Sequence, residues 1–167
     1  MSQTTVAEPK KALEGLLYDL GNTDITSFSA EIAVPFGKYV NLGTDKERQV
    51  LLPLLTTDVT NEKLAGGFSV RTQEVENPMP NSADPVGTYA IGESVSVIKK
   101  GRIWVLCEDD FDQSDDVFVR FADGTETNNN GGVRTDADTA TAVALPNARF
   151  LNSGLAGELA LLDLSIL

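Results

Sequence analysis

The chain has no histidine, a single cysteine, a single tryptophan and, in 167 residues, no apolar run approaching the ~18 residues that would span a bilayer. Each absence removes a class of function. Without histidine there can be no Ser–His–Asp or Cys–His nucleophile pair, no imidazole general base and none of the commonest zinc sites. One cysteine permits no intrachain disulfide. Cys107 is followed by Glu108, Asp109 and Asp110, which hold a thiol protonated and unreactive, so a packed strand residue is the expectation. The opening MSQTTVAEPKKALEG has neither the basic start nor the apolar stretch of a secretory signal, and none is expected.

Basic charge is also scarce. Twenty-five acids against 13 bases leave a formal charge of −12, a surface that repels phosphate backbones, so neither nucleic acid nor membrane is an expected partner. What remains is ordinary for a folded domain: 41% hydrophobic and 23% charged residues, enough for one real core. Residues 1–11 are polar without core pattern and read as an N-terminal arm. Residues 12–167 read as a single β domain.

Leu13, Leu16, Leu17 and Leu20 fall at helical spacing between Pro9 and Gly21, which predicts a short helix there. Beyond it the pattern changes. DITSFSAEIAVPFGKYVNLG is rich in β-formers broken by Pro35 and Gly37, and VLLPLL carries Pro53, which fits an edge strand or a strand end. GFSVRT (Gly67 to Thr72), VFVRF (Val117 to Phe121), ARFLNSG and ELALLDLSIL read as further strands. NPMPNSADPVG, from Asn77 to Gly87, reads as a surface loop, and residues 126–142 as a flexible polar one. In YAIGESVSVIKKGRIWVLCEDD, Lys99-Lys100-Gly101-Arg102 predicts a hairpin turn between two alternating strands. The sum predicts an all-β fold, a jelly-roll-like sandwich or small barrel, with at most one or two short helices.

No chemistry-bearing motif stands out. EDDFDQSDD (Glu108 to Asp116) fails as a calcium loop, with Asp115 where glycine belongs and Phe121 at the twelfth position, and reads as a solvated acidic loop. Asp136 and Asp138 make a weak DxD. Twenty-five acids contain some close pair by chance, but the sequence singles out none for glycoside hydrolysis. There is no GxGxxG, GxxxxGK[ST] or GxSxG. No catalytic residue, metal or cofactor is expected. Trp104 reads as core or interface area.

Three segments resemble the structural cement, or head decoration, proteins of tailed phages. GLLYDLGNTDITSFSAEIAVPFGKYVNLG carries Gly15, Asp19, Ser27, Val34-Pro35-Phe36-Gly37 and Gly43 in that family's order. YAIGESVSVIKKGRIWVL carries Gly92, Val95, Val97, Gly101, Trp104 and Val105, and LPNARFLNSGLAGELALLDL is similar to the family's ending. The resemblance runs from about residue 12 to 165 and would make Gly15 to Asp19 extended, so helix or strand stays open there. It implies a non-catalytic protein on the outer surface of an icosahedral head, bridging major capsid protein subunits and itself a dimer or trimer. Gln3, Thr4, Thr5 and Val6 of the arm, Pro78 and Pro80 of the loop, and Trp104 are the expected contacts. Pro35, Phe36, Gly37, Gly92, Gly101 and Trp104 are the expected turn and strand motif. The alternatives are another β-rich virion component, from tail or connector, or a carbohydrate-binding or carboxylate-based enzyme domain around Trp104.

Overall fold

In a computed structural model, residues 12–60, 65–72, 87–122 and 130–166 are described. They form eleven strands, one five-residue helix and one 3-10 turn. The strands are β1 (Asp24–Ala30), β2 (Val34–Pro35), β3 (Tyr39–Leu42), β4 (Gln49–Leu51), β5 (Ala65–Ser69), β6 (Thr88–Tyr89), β7 (Ser94–Leu106), β8 (Asp116–Arg120), β9 (Val133–Arg134), β10 (Ala142–Phe150) and β11 (Leu159–Ser165). The helix α1 spans Thr56–Thr60 and the 3-10 turn Asp138–Ala140. The fold is all-β.

Strand β7 organises the molecule. Nine strands run in the order β1-β4-β3-β5-β7-β11-β10-β8-β9, and β1 pairs again with β7, closing β1, β4, β3, β5 and β7 into a small barrel. On the other side β11, β10, β8 and β9 arc back towards β7, where Cys107 bridges Val133 and the Glu108 amide donates to the Val133 carbonyl at 2.9 Å. Two cores result. Ala30, Val40, Val50, Val95 and Val97 fill the barrel, capped by Val34, Phe36 and Tyr89. Phe68, Ile98, Ile103, Val105, Val119, Phe150 and Leu162 fill the second. Tyr39 and Val40 on β3, like Val97 and Ile98 on β7, send neighbouring side chains into opposite cores. That is the period-2 geometry of a strand buried on both faces.

The expected hairpin at Lys99–Arg102 is absent. β7 runs unbroken for 13 residues. Its register with β1 slips between Asp24 and Ile25, which face Lys100 and Ile98 and so leave Lys99 unopposed. This is a bulge, and it moves the inward face from Ile98 to Ile103 and Val105. Gly101 sits at φ 123, and a Cβ there would meet Thr23 Cγ2 at 2.8 Å. Glycine and basic residues mimic turn chemistry locally, but pairing on both sides of the strand decides the outcome.

The helix expected before Gly21 is also absent. Leu17 bridges Ile103, Gly15 N donates to Trp104 O at 2.7 Å, and Trp104 N donates to Leu16 O at 2.9 Å. After a turn at Glu14-Gly15, Leu16 and Leu17 therefore run alongside β7, the strand-like course that the resemblance implied for part of Gly15 to Asp19. Among residues 130–142 the flexible loop is ordered: β9 pairs with β8, and Val133 is 1% exposed. Pro53 lies just past the end of β4, a strand internal to the barrel.

Candidate contact surface

The motif Pro35-Phe36-Gly37 is a corner of the barrel. The buried Ser69 hydroxyl donates to Pro35 O at 2.7 Å and accepts from the Lys38 amide at 3.1 Å, while Gly37 N donates to Ser69 O at 2.9 Å. Phe36 packs edge-on to Tyr89 at 5.2 Å, and the Arg71 guanidinium lies 5.0 Å over its ring. Tyr89 donates its hydroxyl to Val70 O at 2.5 Å, and burial raises its pKa. Gly15 and Gly37 touch backbone to backbone: a Cβ on Gly15 would sit 3.0 Å from Gly37 N. These contacts hold Pro35, Phe36 and Gly37 together in one corner of the barrel. Gly92 turns the chain into β7 at φ 83, where its amide donates to Ala30 O at 2.8 Å.

Asp110, Asp112, Asp115 and Asp116 of the acidic segment are exposed as expected, but Glu108 and Asp109 are half-buried against arginines. Glu108 Oε2 accepts from Arg120 at 2.8 Å and from Arg134 at 3.0 Å. Arg120 also reaches Asp138 at 2.9 Å, and Arg134 reaches Asp109 at 3.1 Å and Asp136 at 3.2 Å. This network clamps β9 and the following turn against β7 and β8. Hydrogen bonding from Arg120 and then Thr141 holds the Asp138 carboxyl below its ordinary value. Burial, followed by the charges of Asp109 and Glu108, pushes the Cys107 thiol up despite backbone hydrogen bonds. Among the described residues no group of three or more His, Cys, Asp or Glu side chains is arranged to hold a metal ion. No helix among them is long and apolar enough to cross a membrane.

An apolar surface feature of the described residues lies on the outer face of β7. Trp104 and Leu106 alternate with buried Ile103 and Val105 and point outward beside Leu161 and Leu159 of β11. Leu13, Leu16 and Tyr18 are exposed next to them, with Tyr18 tilted against Trp104 at 6.2 Å and Arg102 5.9 Å above the Tyr18 ring. Between residues 12–14 and the 152–159 loop this face sinks into a groove of about 910 Å³. Trp104, Leu106 and Leu159 line its apolar side, with Glu14 and Glu158 also on its walls. Leu155 projects from the loop at 64% exposure, and Glu158 Oε2 holds the loop by accepting the Leu155 amide at 2.9 Å. The sequence singled out Trp104 as core or interface area without deciding between them, and it gave no sign of the 152–159 wall, some fifty positions away. Gln3, Thr4, Thr5, Val6, Pro78 and Pro80 lie outside the described residues.

A family model described as "Structural cement protein (E217 gp24/Pam3 gp6)" matches residues 1–165. Together with the all-β fold, this defines the class: a phage structural protein. The chain belongs to the structural cement protein family. A solved structure titled "The capsid of Myoviridae Phage XM1" shares the fold, with a TM-score of 0.71 at 16% identity over 100% of this chain and 99% of that one. A second, the head fiber gp8.5 N base of bacteriophage phi29, is similar only at a TM-score of 0.43 and 14% identity over 86% of this chain and 94% of that one, and carries no argument. No curated protein matches the sequence.

Proposed function

We propose that the protein decorates the outer surface of an icosahedral phage head, where it bridges and stabilises major capsid protein subunits as a closed dimer or trimer. Membership of the cement family over residues 1–165 carries the reading. The outer face of β7 supports it, because aromatic and aliphatic side chains concentrated on one exposed face are what protein contacts use. Trp104 is the central contact on that face. The arm residues Gln3, Thr4, Thr5 and Val6 and the loop residues Pro78 and Pro80 belong to the same function. The protein needs no cofactor for it, acts on no substrate, and resides on the virion after assembly in the host cytoplasm.

Electron microscopy of the protein mixed with empty heads tests the proposal. Regular density over the shell is expected. Density confined to the tail would replace the reading with a tail or connector role, and no density would remove it. In the same assay, Trp104→Ala is expected to weaken head binding by about 30-fold, the scale of an interface hot spot of ~2 kcal/mol, with melting changed by only a few degrees. Deleting the segment through Lys10 should leave the domain folded but weaken attachment. Equal affinity after the deletion would move the contact to the loops, with Asn77 to Gly87 next in line.

A further inference from the structure

We infer that the Trp104 face takes an apolar, uncharged segment of the major capsid protein subunit, and that charge plays no part in holding it. The inference rests on the reading of this face as the capsid contact and names the chemistry of the partner there.

The surface itself supplies the apolar half of the argument. Trp104, Leu106 and Leu159 line the groove, while Leu13 and Leu16 are 40% exposed, Tyr18 53% and Leu155 64% around it. Apolar side chains gathered about a concave site gain by taking a partner's apolar surface out of water.

The charges beside them are already engaged within the chain. Glu14 on the groove wall pairs with Lys38 at 3.4 Å, and its carbonyl accepts from Arg71 at 3.3 Å. Arg71 also lies 5.0 Å over the Phe36 ring, and Glu158 Oε2 accepts the Leu155 amide at 2.9 Å. One rung beyond Trp104 and Leu161, Arg102 of β7 stands opposite Asp163 of β11. Arg149 of β10 binds that carboxylate at 2.8 Å, and Arg102 reaches Asp19 at 3.5 Å, so charges of alternating sign form a row across the sheet. Lys38, Arg71, Arg102 and Arg149 thus meet Glu14, Asp19, Glu158 and Asp163, four of each sign on a chain with 13 bases and 25 acids.

A paired charge serves a partner poorly. Covering it costs desolvation, and it has little left to offer a charge across the contact. A basic segment would be drawn instead to the parts of the chain that carry its excess of acids, where the net charge of −12 resides. An acidic segment would be repelled by that net charge and would meet guanidinium groups already occupied. An uncharged apolar segment meets neither obstacle.

Titration of empty heads with the full-length protein at increasing sodium chloride tests the inference. Between about 0.1 and 1 M, where the screening length falls from about 10 to about 3 Å, the affinity should change less than about threefold. Sodium sulfate, which strengthens apolar contacts, should raise it. Arg149→Gln, at a side chain 70% exposed, takes one partner from Asp163. Its affinity at low salt should be unchanged or lower, and a tighter variant would reveal a basic partner. Asp163→Asn is the converse, and tighter binding there would reveal an acidic one. Trp104→Ala should weaken attachment by the same factor at every salt concentration, with melting curves certifying that each variant is folded. Attachment indifferent to Trp104→Ala, or weakened about tenfold or more by sodium chloride, would overturn the inference and leave decoration of heads standing. No attachment under any condition would remove the capsid reading and the inference together.

Discussion

Arg120 is 7% exposed and joins Glu108, Asp138, Thr141 and the carbonyl of Ala122. Removing one partner from such a cluster leaves the others desolvated without compensation, which costs more than the ion pair itself contributes. Arg120→Ala is therefore expected to lower stability by about 3 kcal/mol, measured by urea unfolding at neutral pH. Asp138 gives the same network a pH signature. Its carboxyl titrates below the ordinary value of 3.8, chiefly through the Arg120 hydrogen bond. A carboxylate lowered in the folded state adds stability above its unfolded value, and the gain is lost as pH falls through the folded one. The stability difference between the protein and Asp138→Asn should be full at pH 7, shrink as the pH falls below the ordinary carboxyl value of 3.8 and be lost as it passes through the lower folded one. None of this was legible in EDDFDQSDD, because the arginines that pair Glu108 and Asp109 arrive from β8 and β9. At Trp104 the alternation of strand β7 was legible, but it left core and interface both open, and only the fold turns the indole outward.

At the scale of elements, β7 and the segment before Gly21 show how tertiary pairing overrides local signals. Leu13, Leu16, Leu17 and Leu20 have helical spacing, yet only Leu17 packs against a core, while the other three are exposed. The spacing was coincidental, and the hydrogen-bonding groups of β7 claimed the backbone instead. In the same way Lys99-Lys100-Gly101-Arg102 carried turn chemistry into the middle of a strand. Gly101 is where that strand can be tested. A side chain at φ 123, pressed against Thr23, forces the bulge to rearrange. Gly101→Val is expected to cost about 2 kcal/mol, read as a lowered urea midpoint. A variant as stable as the parent would show that the bulge tolerates a Cβ.

For the whole molecule, short strands between glycine and proline punctuation were enough to give an all-β class, and the order of three motifs was enough to suggest the family. The closure of β1 onto β7 was not readable, since it joins residues about seventy positions apart whose local patterns are indifferent to each other. That closure makes the two cores interdependent: Val97 belongs to one and Ile98 to the other, on adjacent residues of one strand. Val97→Ala and Ile98→Ala should each cost about 2–4 kcal/mol and shift one shared unfolding transition. Two separated heat-absorption peaks in calorimetry would show that the halves melt independently.

Strands that have spent their hydrogen bonds on one another have a further consequence under crowding. A β protein gathered at high local density faces the hazard of growing, edge upon edge, into fibres. Curling the sheet back on itself shortens the template from which such growth starts, to residues 24–28 on the side of β1 away from β7. Little backbone is then left for such growth, and contacts with neighbours fall largely to side chains that can be altered one at a time.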